Sequence, residues 1–368
     1  MKKTEEKGII CLKCVLLIAA VYFCAAETDL VRTAVSDGIN RCLTVVIPSL
    51  YAMMIIAVII AKSGILGYIP CFIRRIGEIL FGMRGESLAV FVFSMFAGYP
   101  AGTKIITEQY SSGRLSERTA SVLCGVCFGA GPAFIMGCIS CTLYGSSLSG
   151  RIIILSTVSA NILTAFIVSF ILRKSSYAEG DSRRQISLNG RLLTESLVSA
   201  GRTMGELCFM ITAFSVMTAM LDYCGVISAA AGVFSSLTGF SREISEAFIP
   251  AVLDITAVNG LPADNYAMLP WLCALVSSGG VCVLFQTAAI IAGRFPVRIF
   301  ILLRFCASAL SFGICRIVMP YLIRDEIIPA STVNVSVCGS TSPVPSVMLL
   351  LMTFIIIAEY DKIVKIPK

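Results

Sequence analysis

Long apolar stretches separated by short polar ones run through most of the 368 residues. A transmembrane helix needs about 20 mostly apolar residues. Residues 8–26 meet that length, with Lys13 close enough to the start to snorkel. Residues 43–67, 151–172, 206–227, 296–318 and 346–360 read as further spans. Residues 27–41 mix Glu27, Asp29, Arg32, Asp37 and Arg41 with apolar positions, the pattern of a helix lying at the membrane interface. Residues 71–82, with Arg74, Arg75 and Glu78, repeat that pattern, and residues 193–204 are amphipathic.

Four apolar runs are interrupted. Residues 86–110 break at Gly98-Tyr99-Pro100-Ala101-Gly102, and neither half is long enough to cross. A helix does not pass such a segment unbroken, so the run predicts a re-entrant hairpin. Residues 115–144 are span-length but carry Gly129-Ala130-Gly131-Pro132 in the middle, which predicts a discontinuous helix. The same pair recurs. Residues 243–260 form a short run with Pro250 and then Asp254-Ile255-Thr256-Ala257-Val258-Asn259-Gly260. Residues 264–292 are interrupted by Ser277-Ser278-Gly279-Gly280.

The order of span, short amphipath, broken hairpin, broken span and span therefore occurs twice, at an offset of about 150–157 residues. Repeat 1 covers residues 43–172 and repeat 2 residues 193–318. An N-terminal unit (1–42), a basic loop (173–192), an outer loop (319–345) and a C-terminal span and tail (346–368) complete the chain. Each repeat makes three full crossings, and an odd number inverts the second relative to the first. The positive-inside rule tests this. With Lys2, Lys3 and Lys7 in the cytoplasm, Arg74, Arg75, Arg84, Arg114, Arg118, the basic loop, Arg294, Arg298 and the C-terminal lysines all fall inside. Arg32, Arg41, Arg151, Arg242 and Arg324 fall outside. Counting either hairpin as a crossing would move a basic loop outside. The expectation is an all-α polytopic membrane protein of about eight transmembrane helices, with two inverted repeats and cytoplasmic termini.

Composition narrows the chemistry. The chain is 57% hydrophobic and 14% charged, with mean hydropathy +0.89, far from soluble averages. It has no histidine. That excludes Ser-His-Asp and Cys-His pairs, His-ligated metals and imidazole proton relays. No Walker loop or dinucleotide fingerprint is present, and the expectation is not an enzyme, with no catalytic residues. The C-x-x-C pairs Cys11/Cys14, Cys124/Cys127 and Cys138/Cys141 sit in apolar runs and read as small buried hydrophobes, not as a metal site.

Broken helices survive in a bilayer where they are buried in protein or line a wet cavity. Inverted repeats with paired hairpins and mid-span breaks are the pattern of a secondary transporter. Free helix N-termini there can hold an anionic or polar substrate, and exposed carbonyls can coordinate Na+. Lys104, just past the first tip, can pair with a carboxylate substrate or snorkel to the cytoplasm. Asp254 is a carboxylate well inside the second hairpin run and is the ion-coupling candidate, for Na+ or H+. Gln286 can donate to a substrate or satisfy freed carbonyls. Arg316 snorkels, and Arg304 is deep enough to pair with an acid or a substrate.

The strings FAGYPAGTKI at 96–105 and GAGPAFI at 129–135 resemble the YlbJ-like sporulation integral membrane proteins, in the nucleoside-recognition (Gate) group. SSGGVCVLFQ at 277–286 and DITAVNG at 254–260 resemble second-half segments of that family. The resemblance spans about residues 40–318 and implies a fold related to concentrative nucleoside transporters. It implies that Gly98, Tyr99, Pro100, Gly102, Thr103 and Lys104 form the first tip and that Gly131 and Pro132 unwind the first broken helix. Asp254 and Thr256 would belong to the second hairpin, and Gly279, Gly280 and Gln286 to the second broken helix. The chain departs from the family at Asp254, where Glu is usual, and at Cys127-Phe128-Gly129, where an Asn is usual.

The function implied is movement of dipicolinate during spore formation, in a cytoplasmic or sporulation-associated membrane of an endospore-forming bacterium. A nucleoside transporter and a non-transporting assembly or sensing protein are the alternatives. The expected partners are the lipid bilayer, a small anionic substrate and further copies of the chain as a homo-oligomer. No nucleic acid, metal or resident cofactor is expected.

Overall fold

A computed structural model describes residues 2–68, 75, 77, 86–127, 129–172, 186, 188–262 and 266–323. Most of the expected interfacial helix at 71–82 and of the basic loop, the outer loop beyond residue 323 and the last span lie outside the described residues.

Every described element is helical. Helix α1 is Lys2–Ala26, and α2 is Thr28–Arg41. A π-helical turn, Cys42–Val46, carries α2 directly into α3, Ile47–Ser63. Then come α4 (Glu86–Ala97), α5 (Ala101–Ser111), α6 (Glu117–Val126), α7 (Pro132–Tyr144, with a π-helical turn at Ile135–Cys141) and α8 (Ser147–Leu172). The second half holds α9 (Gly190–Tyr223), α10 (Val226–Thr238), α11 (Arg242–Leu253), a 3-10 turn (Ile255–Gly260), α12 (Leu269–Ser278), α13 (Gly280–Ile291) and α14 (Val297–Leu322).

Among the described residues, five helices are long and apolar enough to cross a bilayer: Thr28–Ser63, Ser147–Phe170, Gly190–Tyr223, Tyr266–Ile291 and Val297–Leu322. Their side chains are arranged inside-out relative to a soluble protein. On α8, Ser149, Ser156, Thr157, Asn161 and Thr164 are buried while Leu155, Ile162, Phe166 and Phe170 are exposed. Exposed Phe209, Leu302, Phe305 and Ile317 continue the apolar outer surface. Lipid solvates such a surface and leaves polar groups to find partners inside. The chain is an integral membrane protein.

Two expected boundaries shift. Residues 27–41 are not a separate interfacial helix, and 193–204 is not separate from the span that follows. Each amphipathic stretch is the first part of one long helix. The reason is packing: a Cβ on Gly38 of α2 would lie 2.8 Å from Ser215 Oγ and 2.9 Å from Thr212 Cα of α9. The small-residue face of α2, with Ala34 and Gly38 buried, thus meets a partner helix, while Asp29 and Arg32 stay exposed. The second hairpin also differs from its expectation, because α11 is followed by a 3-10 turn and not by a second helical arm.

Local chemistry sets the ends. Ser116 accepts from the Thr119 amide to cap α6, Asn189 accepts from Leu192 at 2.8 Å to cap α9, and Gly64 ends α3 in the left-handed region. Helices α8, α12 and α14 pack together, α2 and α3 lie along α9, and α6 packs on α14. Trp271 of α12 wedges edge-on between Phe234 of α10 and Phe312 of α14, with centroids 5.1 and 5.0 Å away.

Candidate functional site

The four helix interruptions converge. At the first, the chain folds back after α4. A Cβ on Gly102 would touch Ser94 Cβ at 2.9 Å, which two residues so spaced on a straight helix could not do. Gly98 has φ +68° and packs on the second interruption, where an added Cβ would sit 2.2 Å from the Gly131 nitrogen. The Tyr99 amide donates to the Gly129 carbonyl at 2.8 Å. The third and fourth interruptions pair in the same way. A Cβ on Gly280 (φ +75°) would meet the Val252 carbonyl oxygen at 3.0 Å and the Ile255 amide nitrogen at 3.4 Å. Cys138 Sγ, on α7, approaches Asn259 Oδ1 at 3.3 Å and ties the two pairs together.

One cavity of about 20 Å³ lies where they meet. Tyr99 and Pro100 reach it from the first interruption, Gly131 from the second, Asp254 and Thr256 from the third, and Gln286 from the helix after the fourth. Val46 and Leu50 of the first long helix and Leu207 and Ile211 of α9 close its remaining sides. The volume suits roughly one water, so a larger occupant requires the walls to part.

Asp254 is the acidic side chain of the cavity lining and is only 2% exposed. Its Oδ1 accepts from the Thr256 amide at 3.0 Å and its Oδ2 from the Thr256 hydroxyl at 2.7 Å. The side chain thereby caps the 3-10 turn. Arg41 Nη1 stands 3.9 Å from Asp254 Oδ2, and Arg41 Nη2 donates to Ser215 Oγ. Gln286 Nε2 points to Cys282 Sγ at 3.3 Å.

Other sequence candidates fall elsewhere. Gly98, Gly102 and Thr103 line a smaller gap beside the first interruption, against Cys124 and Cys127 of α6. The Thr103 hydroxyl is buried there without a hydrogen-bond partner among the described residues. Pro132, Gly279 and Gly280 shape the interruptions but line neither space. Lys104 lines neither as well. It lies one helical turn beyond Pro100, in the electrostatic neighbourhood of Glu108, Glu206, Arg294 and Lys62, and Lys62 pairs with Glu108 at 3.6 Å.

Arg304 is fully buried on α14. Its Nη1 donates to the Ser277 carbonyl at 3.3 Å and its Nη2 to Asn161 Oδ1 at 3.0 Å. The Ser277 carbonyl belongs to the last turn of α12, whose acceptors have no intrahelical partner. Arg304 therefore supports the fourth interruption from behind.

Sequence reasoning missed Arg41, Ser215 and Asn161. For Arg41 the available signal was Gly38 one turn earlier, a small residue that admits a second helix. Compared with family models, curated proteins and solved structures, the chain matches none.

Proposed function

We propose that this chain is a secondary transporter that moves a small organic anion by alternating access. The observation that supports this most is the convergence of three helix interruptions, with the helix that follows the fourth, on one cavity deep among span-length helices. An interrupted helix frees backbone donors and acceptors, and a bilayer tolerates them only where protein or a polar occupant satisfies them. Interruptions meeting at one point serve a shared site better than separate kinks do. In this reading residues 43–172 and 193–318 are inverted repeats of three crossings each, the segments around 86–110 and 243–260 are re-entrant, and the full chain has eight spans with cytoplasmic termini. Passage, not catalysis, is the activity.

Dipicolinate is the cargo that the YlbJ-like resemblance suggests, in a membrane of an endospore-forming cell. Asp254 remains the coupling candidate for Na+ or H+. The test is uptake of labelled dipicolinate into proteoliposomes under an imposed Na+ or H+ gradient. Gradient-dependent accumulation is expected, and none under either gradient overturns the anion reading. One observation favours a second cargo. The cavity presents Gln286, Thr256 and the acid Asp254 while Lys104 lies outside it, a set of hydrogen-bonding groups without a cation that also suits the hydroxyl and amino groups of a nucleoside. Inhibition of uptake by uridine or adenosine, but not by unlabelled dipicolinate, identifies that case.

A further inference from the structure

Helices α3 and α5 run side by side from the cavity to one end of the molecule. Leu50 of α3 and Pro100, the N-cap of α5, both line the cavity. The two helices pack on each other, and side chains join them again at their far ends. Gln109 of α5, fully buried, donates from Nε2 to the Ala61 carbonyl of α3 at 2.7 Å. That carbonyl is one of the last-turn acceptors that a helix leaves without an intrahelical partner. Arg114 Nη1 donates to Gln109 Oε1 at 3.2 Å. Arginine only donates, so this contact fixes which way the Gln109 amide faces. Beside it, Lys62 Nζ of α3 stands 3.6 Å from Glu108 Oε1 of α5. At a rise of 1.5 Å per residue, these contacts lie about 14–16 Å along the helices from the cavity.

The closure is polar, and that makes it reversible. The Lys62 and Glu108 side chains are 25% and 35% exposed, so water already reaches them, and such pairs hold weakly. The Gln109–Ala61 bond exchanges for bonds to water on opening, at a smaller net cost than wetting a buried leucine. The cavity ends of both helices are held differently. Gly98 and the Tyr99 amide pin the start of α5 to the second interruption. The π-helical turn Cys42–Val46 lies beside the cavity at the start of α3, and such turns are where helices bend. Parting of α3 from α5 is therefore widest at the polar contacts and narrows toward the cavity.

We propose that the Gln109–Ala61 and Lys62–Glu108 contacts are the latch of a gate, and that α3 and α5 part there to open the cavity toward the end that carries Arg114. That end is cytoplasmic in the proposed topology. This rests on the alternating-access reading and deepens it by naming the inner gate and the route. The opened path is a wedge with its mouth at the latch and its apex at Val46, Leu50 and Pro100. Tyr110, edge-on to Phe295 with centroids 5.5 Å apart, keeps α5 on the turn before α14 while α3 leaves.

The test is the rate at which a membrane-impermeant methanethiosulfonate reacts with a Val46→Cys thiol in the full chain, in inside-out and in right-side-out vesicles. Val46 is 2% exposed and lines the cavity, so a thiol there is reached only when a path opens. Cys11, Cys14, Cys24, Cys71, Cys224, Cys306 and Cys338 are replaced by serine, and the same chain with Val46 kept supplies the background. Gln109→Leu is expected to raise the rate from the Arg114 end about fivefold, the scale of one hydrogen bond. Glu108→Lys, which sets a third ammonium beside Lys62 and Lys104, should raise it about threefold. Adding Lys62→Glu to Glu108→Lys should return most of the way to the starting rate. The rate from the opposite end should stay unchanged throughout. Should Gln109→Leu fail to fold, the charge reversal and its repair decide alone. Rates that rise equally from both ends, that rise in neither variant, or that Lys62→Glu does not repair overturn the latch. Labelled dipicolinate uptake separates this from the cargo. A one-sided rise without uptake overturns the dipicolinate reading and keeps the latch, and uptake without a rise does the reverse.

Discussion

The Tyr99 amide and the Gly129 carbonyl, 2.8 Å apart, make one hydrogen bond out of two helix interruptions. Each break frees backbone groups that water cannot reach, and here the first break satisfies the second. The close fit depends on Gly98. Alanine there would hold a left-handed backbone at a cost of about 1–2 kcal/mol. Its Cβ, 2.2 Å from the Gly131 nitrogen, would force a shift costing about 1–3 kcal/mol more. Gly98→Ala is expected to lower the thermal midpoint in detergent and to abolish uptake. Gly137→Ala, with nothing within 4 Å of the added Cβ, is the control and should match wild type in both assays.

Arg304→Gln removes the donors that reach Ser277 O and Asn161 Oδ1. Buried acceptors left without donors cost about 1–3 kcal/mol. The carbonyl concerned ends α12 directly before the Gly279-Gly280 break, so the loss is expected to loosen that break as well as the fold. Reduced midpoint and reduced uptake should therefore appear together. Arg304→Lys keeps a cation at the α12 C-terminus and should recover part of both. A Gln variant with an unchanged midpoint would show that the two bonds carry no stability.

How these groups were distributed in the sequence explains what could be read from it. The breaks at Gly98-Tyr99-Pro100, Gly131-Pro132 and Gly279-Gly280 are local events written in local residues, and they sit where the glycines and prolines predict. Asp254 was visible for a different reason, as a lone acid in an apolar run. Arg41 was not visible. A charged residue on an amphipathic stretch reads the same whether its polar face meets headgroups or another helix, and only the Gly38 contact with Thr212 and Ser215 distinguishes them. Lys104 is next to the tip in sequence and its amide donates to the Pro100 carbonyl, yet its side chain lines neither space. Four helical steps return Lys104 to nearly the face of Pro100 but about 6 Å further along the axis, where its neighbours are Glu108, Glu206, Arg294 and Lys62 and not the cavity.

That difference between Lys104 and Gln286 is measurable. Lys104→Ala is expected to leave the KM for uptake within about twofold of wild type, because its side chain touches no cavity wall. Gln286→Ala removes a polar group that lines the cavity and should raise KM about five- to tenfold, the scale of one hydrogen bond. The reverse ranking would return the anion site to the first hairpin tip.

The two turns that carry Arg114 and Arg294 lie side by side, since Tyr110 and Phe295 meet edge-on with centroids 5.5 Å apart. They belong to different halves of the chain, and their shared end is independent of any assumption about the bilayer. Basic residues in short loops favour the cytoplasmic side, which places both turns inside under the proposed topology. The exposed Cys224, at the end of α9, falls outside under the same topology. With Cys11, Cys14, Cys24, Cys71, Cys306 and Cys338 replaced by serine, a membrane-impermeant maleimide applied to intact cells is expected to label Cys224. Ser112→Cys and Pro296→Cys, each made in a Cys224→Ser background, should react only after the membrane is opened. Labelling of both turns from outside would invert the proposed orientation. Labelling of one turn and not the other would contradict the Tyr110–Phe295 contact itself, because residues packed that closely cannot face opposite sides of a bilayer about 30 Å thick.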